Sequence, residues 1–123
     1  MDHQLAALHG LMRYPERLCV LLGKRDLVFL APPEIRLDLP EGARFSLFPM
    51  ARVKAVSEGL RWAVDGLDLA PGETIGTSNM VTGPVRLGVD RPGLLVILPV
   101  EQMPLVLPVL EQPELARWTA RSG

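Results

Sequence analysis

The residues whose types suit the binding of a small molecule are concentrated in one polar stretch, residues 71–83. Three Gly, three Thr, one Ser and one Asn fall within it. Glycine permits left-handed or closely approaching backbone, and Ser, Thr and Asn side chains bond to neighbouring amides or to a ligand. Because the flanking segments alternate or run apolar as strands do, the stretch is predicted to be a connection between strands. Either a plain surface turn or a ligand-binding loop fits this chemistry.

Other residue types that carry chemistry are sparse and poorly spaced for catalysis. His3 and His9 lie six positions apart, which puts them on different faces of a helix and excludes joint chelation of one metal ion. Cys19 lies in an apolar run, where a buried thiol is a better interpretation than a nucleophile. It is the only cysteine, so no intrachain disulfide forms and a reducing, cytoplasmic compartment is predicted. The sequence contains neither a P-loop nor a hydrolase nucleophile elbow.

Length and charge limit the class of protein. The 123 residues match one domain and are enough to bury a core without disulfides or metals. The net charge is −1 with acidic and basic residues interspersed, so nucleic acid is not an expected partner. The longest apolar region, residues 94–110, is interrupted by three prolines and is shorter than the ~20 residues of a membrane-spanning helix. No membrane association is expected.

The elements that must position the polar stretch are predicted to be mostly short strands. Residues 2–12 repeat apolar positions at helical spacing and end before Pro15. The runs at 18–22 and 27–30 flank a turn and are typical of a hairpin. From residue 35 to residue 98, alternating apolar positions and closely spaced turn residues favour strands. The prediction is a mainly β protein, an antiparallel β-sandwich or jelly-roll-like domain preceded by one N-terminal helix.

The same patterns predict which side chains face the core and where helices are absent. Residues 31–110 show no helical stretch, and the proline-rich segment after Pro99 is interpreted as a connection. A short terminal helix is predicted at 114–121. Seven side chains on alternating positions are predicted to point inward: Leu37, Phe45, Leu47, Val56, Leu87, Val89 and Val96.

Four pieces of the chain, taken in order, carry a resemblance to a known family. They are RFSLFP at 44–49, VKAVSEGLRWAV at 53–64, the SN pair at 78–79 and PGLLVI at 92–97. In this order they resemble the C-terminal thiamine-binding domain of thiamine pyrophosphokinases, over roughly residues 37–98. The resemblance implies an enzyme that transfers the pyrophosphoryl group of ATP to the hydroxyl oxygen of thiamine, by positioning and Mg²⁺ charge neutralisation. It also implies a homodimer, with the site formed between two subunits.

The resemblance further implies that the polar stretch lines the thiamine pocket. Its hydroxyl and amide groups suit the aminopyrimidine ring, and the implied substrate-binding residues are Thr74, Gly76, Thr77, Ser78 and Asn79. Trp62 is a candidate for stacking on the ligand, with burial in the core as its alternative.

The first residues resemble a different part of the same family. MDHQLAAL at 1–8 is similar to a segment, GR.DH.LAN, near the end of the family's α/β nucleotide-binding domain, with Met1 in place of Arg and Ala7 in place of Asn. Residues 1–30 are therefore predicted to be a remnant of that domain, 31–110 the thiamine-binding β-sandwich, and 111–123 a C-terminal tail. Asp2 is the candidate catalytic and Mg²⁺-binding carboxylate, with N-capping of the first helix as the alternative.

By this resemblance the chain alone is expected to lack most of the ATP and Mg²⁺ site. It is expected to hold no bound cofactor and to be inactive by itself, and ATP is an expected partner only when the missing domain is present. The alternative function is a non-catalytic β-sandwich module that binds a small molecule or dimerises.

Overall fold

The computed structural model of the chain describes residues 20–22, 25–65, 68–71, 78–112, 115 and 118. The helix predicted at 2–12 lies outside these residues, as does the helix predicted at 114–121 apart from two isolated positions. The described elements, in chain order, are β1 (Val20–Leu22), β2 (Asp26–Leu30), β3 (Glu34–Leu37), β4 (Arg44–Pro49), β5 (Val53–Leu60), β6 (Asp68–Leu69), β7 (Ser78–Val89), β8 (Leu94–Pro99), a 3₁₀ turn (Val100–Gln102) and α1 (Met103–Leu110).

The eight strands form one sheet in the order β1-β2-β8-β4-β7-β5-β6, and β3 pairs with β7 off this path. Each pairing is antiparallel. The sheet curls around one main hydrophobic core, to which β2, β3, β4, β5, β7 and β8 all contribute. The mainly β, antiparallel fold predicted from the sequence is confirmed.

Strand β7 joins the two halves of the sheet. Its first residues pair with β4 and its last residues pair with β3, while β5 lies along its other edge. The pairing of β5 with β7 is irregular at Gly59, whose φ is +80°. A Cβ atom at Gly59 would lie 2.1 Å from the backbone oxygen of Pro84. Only glycine fits this close approach between the two strands without displacement of backbone.

The core follows the predicted alternation with one exception. Six of the seven side chains predicted to point inward are buried: Leu37, Phe45, Leu47, Leu87, Val89 and Val96. The prediction for Val56 is wrong, because its side chain is 43% exposed and the inward positions of β5 are Val53, Ala55 and Ser57. Ser57 replaces an apolar residue there because its hydroxyl and N–H are both bonded within the fold.

The proline-rich segment after β8 is a helix rather than a connection, so the prediction of no helix between 31 and 110 is also wrong. Helix α1 places Val106 and Leu110 in the main core. Pro104 lies in the first turn, where a backbone N–H has no intrahelical partner to lose. Pro108 lies inside the helix, which is short enough to tolerate one missing bond. None of the helices in the described ranges has the length and hydropathy that crossing a bilayer requires.

The predicted hairpin near the N-terminus is confirmed and is continuous with the rest of the sheet. β1 pairs with β2, and β2 pairs with β8 from Asp26 to Leu30. The indole Nε1 of Trp118 donates a hydrogen bond to the backbone oxygen of Ala31 at 2.7 Å, which places Trp118 beside this hairpin. The origin of residues 1–30 in an upstream domain stays a prediction.

Candidate functional site

The predicted polar loop is shorter than expected, because its second half is strand. β7 begins at Ser78, and residues 78–83 run directly into the rest of the strand. Ser78 and Met80 are exposed, and Asn79 between them is buried. Thr74, Gly76 and Thr77 lie outside the described residues, so their part in binding stays a prediction.

Asn79 uses its side-chain amide to hold the backbone of Trp62. Its side chain is buried, with 6% exposure. The Oδ1 atom accepts hydrogen bonds from the N–H of Trp62 at 3.1 Å and the N–H of Met80 at 2.9 Å, and Nδ2 donates to the Trp62 carbonyl at 2.7 Å. These bonds use both acceptor positions of the amide oxygen and one of its two N–H groups. A direct contact of Asn79 with thiamine stays a prediction.

The segment that carries Trp62 is held from β5 as well. The Asp65 carboxylate accepts hydrogen bonds from the N–H of Ser57 at 2.9 Å and from its hydroxyl at 3.4 Å. The Ser57 hydroxyl oxygen accepts a bond from the N–H of Val64 at 3.1 Å. Residues 61–65 are thus fixed at one end by Asn79 and at the other by Ser57.

Trp62 presents an exposed aromatic surface on this fixed segment. Its side chain is 56% exposed, so burial in the core is excluded as its role. The guanidinium carbon of Arg61 lies 4.9 Å from the centre of the Trp62 ring, a cation–π contact that covers one face of the ring. The N–H of Arg61 donates to the Met80 carbonyl at 2.9 Å. The backbone of Arg61 and Trp62 is therefore held beside the first residues of β7, within the predicted ligand-binding stretch.

Two residues of this arrangement, Arg61 and Ser57, are not predicted from the sequence. Arg61 directly precedes an exposed aromatic residue, and that adjacency was the available signal. Ser57 was hidden because a polar residue at an inward strand position cannot be distinguished from an outward one by alternation alone.

The described part of the site offers an aromatic ring, a guanidinium and a serine hydroxyl, which suit ligand binding. The described ranges contain no group of three or more His, Cys, Asp or Glu that could hold a metal ion. Asp2 lies outside them, so its assignment to catalysis or Mg²⁺ stays a prediction.

A second polar cluster lies toward the other end of β7. Arg86 pairs with Glu34 on β3 at 3.0 Å and with Glu58 on β5 at 3.3 Å, beside a shallow cleft of about 440 Å³. The hydrogen bond to Glu34, aided by the charge of that residue, raises the pKa of Arg86 above its ordinary value. The resulting stability is present below the unfolded-state pKa and is lost only as the pH rises through the higher folded-state pKa. This cluster links three strands and brings no pH dependence near neutrality.

Comparison with known proteins places this site within a named domain. Residues 34–94 match the sequence model of a family described as "Thiamin pyrophosphokinase, vitamin B1 binding domain". Thiamine pyrophosphokinase 1 of Arabidopsis thaliana is 32% identical over an 87-residue alignment that covers 65% of this chain and 33% of that protein. Thiamine pyrophosphokinase 2 of the same plant is 31% identical over the same shares. The chain spans about a third of the length of these curated relatives.

Solved structures with low sequence identity share the fold. Thiamine pyrophosphokinase from Bacillus subtilis superposes with a TM-score of 0.69 at 17% identity, over 80% of this chain and 50% of that chain. The enzyme from Geobacillus thermodenitrificans gives a TM-score of 0.66 at 14% identity, over 80% of this chain and 47% of that chain. At these identities the likeness concerns the arrangement of strands.

Proposed function

We propose a thiamine-binding role for this chain, since it belongs to the thiamin pyrophosphokinase family through the vitamin B1 binding domain at residues 34–94. The observation that carries the proposal is the exposed side chain of Trp62, whose backbone is held by the buried amide of Asn79, the residue that follows Ser78. An exposed aromatic side chain on a fixed backbone, with a serine hydroxyl on the neighbouring strand, suits a planar, heteroaromatic ligand. The aminopyrimidine ring of thiamine is such a ligand.

The chain contains a built-in control for a binding experiment, because Trp62 and Trp118 are its two tryptophans. Thiamine is titrated into the ¹⁵N-labelled chain through the millimolar range, and the two indole N–H signals are followed by NMR. We expect the Trp62 signal to move and the Trp118 signal, whose N–H is bonded to Ala31, to stay. No movement at Trp62, or equal movement at both, would overturn the proposal.

Ser78 provides a second test of the same site. Ser78→Ala is expected to raise the dissociation constant for thiamine by roughly two- to tenfold, the loss of one hydrogen bond. Thr82→Ala is the matched control, since Thr82 is another exposed hydroxyl residue on β7. Equal affinities for the two variants would show that the Ser78 hydroxyl does not contact the ligand.

We further propose that this domain acts within an enzyme that forms thiamine diphosphate. In that reaction the hydroxyethyl oxygen of thiamine forms a bond to the β-phosphorus of ATP, the bond from that phosphorus to the α–β bridging oxygen breaks, and the hydroxyl proton and AMP leave. The relatives named thiamine pyrophosphokinase support the assignment. The described residues do not fit a Mg²⁺ site, so we assign ATP and Mg²⁺ to residues outside them. We expect the purified chain alone to give no thiamine diphosphate above a no-enzyme blank, and turnover would contradict this assignment.

Two coarser properties complete the proposal. We propose a homodimer, because closed two-fold dimers are the commonest soluble assemblies and Phe48, Val56 and Met80 are exposed apolar side chains. We also propose a cytoplasmic location, because a single cysteine is typical of reducing compartments. Sedimentation equilibrium tests the homodimer, and a monomer mass at micromolar concentration would contradict it. Microscopy of a tagged chain in its cell of origin tests the second.

A further inference from the structure

The cation beside Trp62 makes the site selective for the charge of its ligand. The guanidinium of Arg61 lies over one face of the exposed Trp62 ring, 4.9 Å from its centre. A ligand that stacks on that face must displace the guanidinium and forfeit the cation–π contact. A ligand that stacks on the opposite face has a positive charge on the far side of the ring.

Three hydrogen bonds fix the backbone that carries Arg61 and Trp62. The N–H of Arg61 donates to the Met80 carbonyl, and the next residue is fixed by Asn79. No carboxylate of the described residues forms an ion pair with Arg61, whereas Arg44, Arg86 and Arg91 each have one. The charge of Arg61 is therefore available to a ligand at Trp62.

Thiamine and its diphosphate ester carry different charges, so the positive charge of Arg61 affects the binding of each differently. The thiazolium ring of thiamine is a cation, and a cation within about 10 Å of a guanidinium is repelled. The diphosphate ester keeps the thiazolium but adds a group with net negative charge, which a guanidinium binds through paired N–H donors.

We propose that Arg61 is a specificity-determining residue that weakens binding of the thiamine cation and strengthens binding of thiamine diphosphate at Trp62. The inference rests on the proposed thiamine site and goes beyond it, since it assigns the preference between substrate and phosphorylated product to one side chain. Arg61 acts on the ligand by charge, so its effect on the two ligands has opposite signs.

The experiment compares the dissociation constants of thiamine and thiamine diphosphate for the parent chain, Arg61→Gln and Arg61→Lys, followed through the Trp62 indole signal. For Arg61→Gln we expect thiamine to bind roughly two- to tenfold more tightly and thiamine diphosphate more weakly by a similar factor. Arg61→Lys keeps the positive charge and is expected to keep the preference of the parent chain. Added salt is expected to reduce the preference in the parent chain more than in Arg61→Gln.

The control is Arg36→Gln. Arg36 is another exposed arginine, but it lies on β3 toward the other end of β7, and its removal should leave the ratio of the two dissociation constants unchanged. If Arg61→Gln changes both affinities by the same factor, or leaves their ratio at the parent value, the role of Arg61 is overturned while thiamine binding stands. If the parent chain binds neither ligand, the thiamine site itself is overturned.

Discussion

Asn79 places a side-chain amide inside the protein, where each of its bonds goes to backbone. Two N–H groups and one carbonyl of residues 62 and 80 depend on it. Hydrogen bonds of this kind stabilise little in total, but stranding their partners is costly. In this molecule the same bonds orient Trp62, so the residue that fixes the site is distinct from the residues that face the ligand. Asn79 is therefore a positioning residue.

This role gives an expected difference between neighbouring substitutions. Asn79→Ala is expected to lower the free energy of unfolding by about 1–3 kcal/mol, because it leaves buried backbone groups without their partner. Ser78→Ala, at an exposed position, is expected to stay within about 0.5 kcal/mol of the parent chain. Urea unfolding of both variants measures the difference. Equal stabilities would show that the Asn79 amide does not support the backbone of Trp62.

At the scale of elements, the close pairing of β5 with β7 depends on the absence of a side chain at Gly59. Gly59 combines a positive φ with an approach of its missing Cβ to the Pro84 oxygen. Gly42 also has a positive φ, of 91°, but a Cβ there would meet nothing within 4 Å. An alanine at Gly42 would therefore introduce backbone strain alone, whereas an alanine at Gly59 would introduce both backbone strain and a steric clash.

We expect Gly59→Ala to lower the free energy of unfolding by about 2 kcal/mol or more, since strain and contact both act. Gly42→Ala is expected to cost about 1 kcal/mol, from the left-handed backbone alone. Denaturant unfolding of the pair provides the measurement. A Gly59→Ala variant as stable as Gly42→Ala would contradict the close approach of β5 to β7.

The unpredicted helix offers another comparison. Leu110→Ala is expected to lower the free energy of unfolding by about 2–4 kcal/mol, because Leu110 is buried in the main core. Leu105 is in the same helix and is 44% exposed, so Leu105→Ala is expected to cost less than about 1 kcal/mol. Calorimetry on both variants measures the effect. A similar loss of stability for both would mean that α1 does not dock through Leu110.

Local patterns in the sequence were sufficient for the strands but insufficient where a polar residue or proline had a tertiary partner. Alternation predicts the inward positions of Leu37 and Phe45 correctly because each lies between polar neighbours. Val56 was assigned inward because Ser57 beside it is polar, although Ser57 has Asp65 as a partner. The start of β7 was missed for the same reason: Asn79 is polar and was assigned to a loop, although it is a buried strand residue with backbone partners.

Helix α1 and the arrangement around Trp62 could not be predicted from the sequence, because both depend on tertiary contacts. Three prolines in residues 94–110 disfavour a helix unless they fall where the missing N–H does little harm, and only the fold fixes those positions. For Trp62, the sequence left stacking and burial both open, since exposure depends on how its segment is tied to β7. The charge at Arg61 over the ring is likewise a product of packing.

For the whole molecule, the hairpin of β1 and β2 is an integral part of the sheet. Leu27 on β2 pairs with Leu98 on β8, and both are fully buried in the main core. A hairpin that made few contacts with the rest of the sheet would contribute little to the stability of the domain. The contacts of β2 instead imply that the sheet and the hairpin unfold together.

Leu27→Ala is accordingly expected to lower the free energy of unfolding of the entire chain by about 2–5 kcal/mol in one cooperative transition. Hydrogen exchange on the parent chain should give the amides of β2 the same protection as those of β8. Early exchange of β2, with β8 still protected, would show that the hairpin opens independently of the sheet.

The pairing of β2 with β8 also has a consequence for the order in which the protein acquires its structure. Asp26 pairs with Pro99, so during synthesis β2 has no partner on that edge until the ribosome has released the segment near residue 99. Contacts between such distant positions close large loops and slow folding into the millisecond-to-second range typical of β proteins. Throughout that interval the apolar sequence DLVFL of β2 presents an open edge to other chains. Aggregation of newly made protein is therefore expected to start at β2.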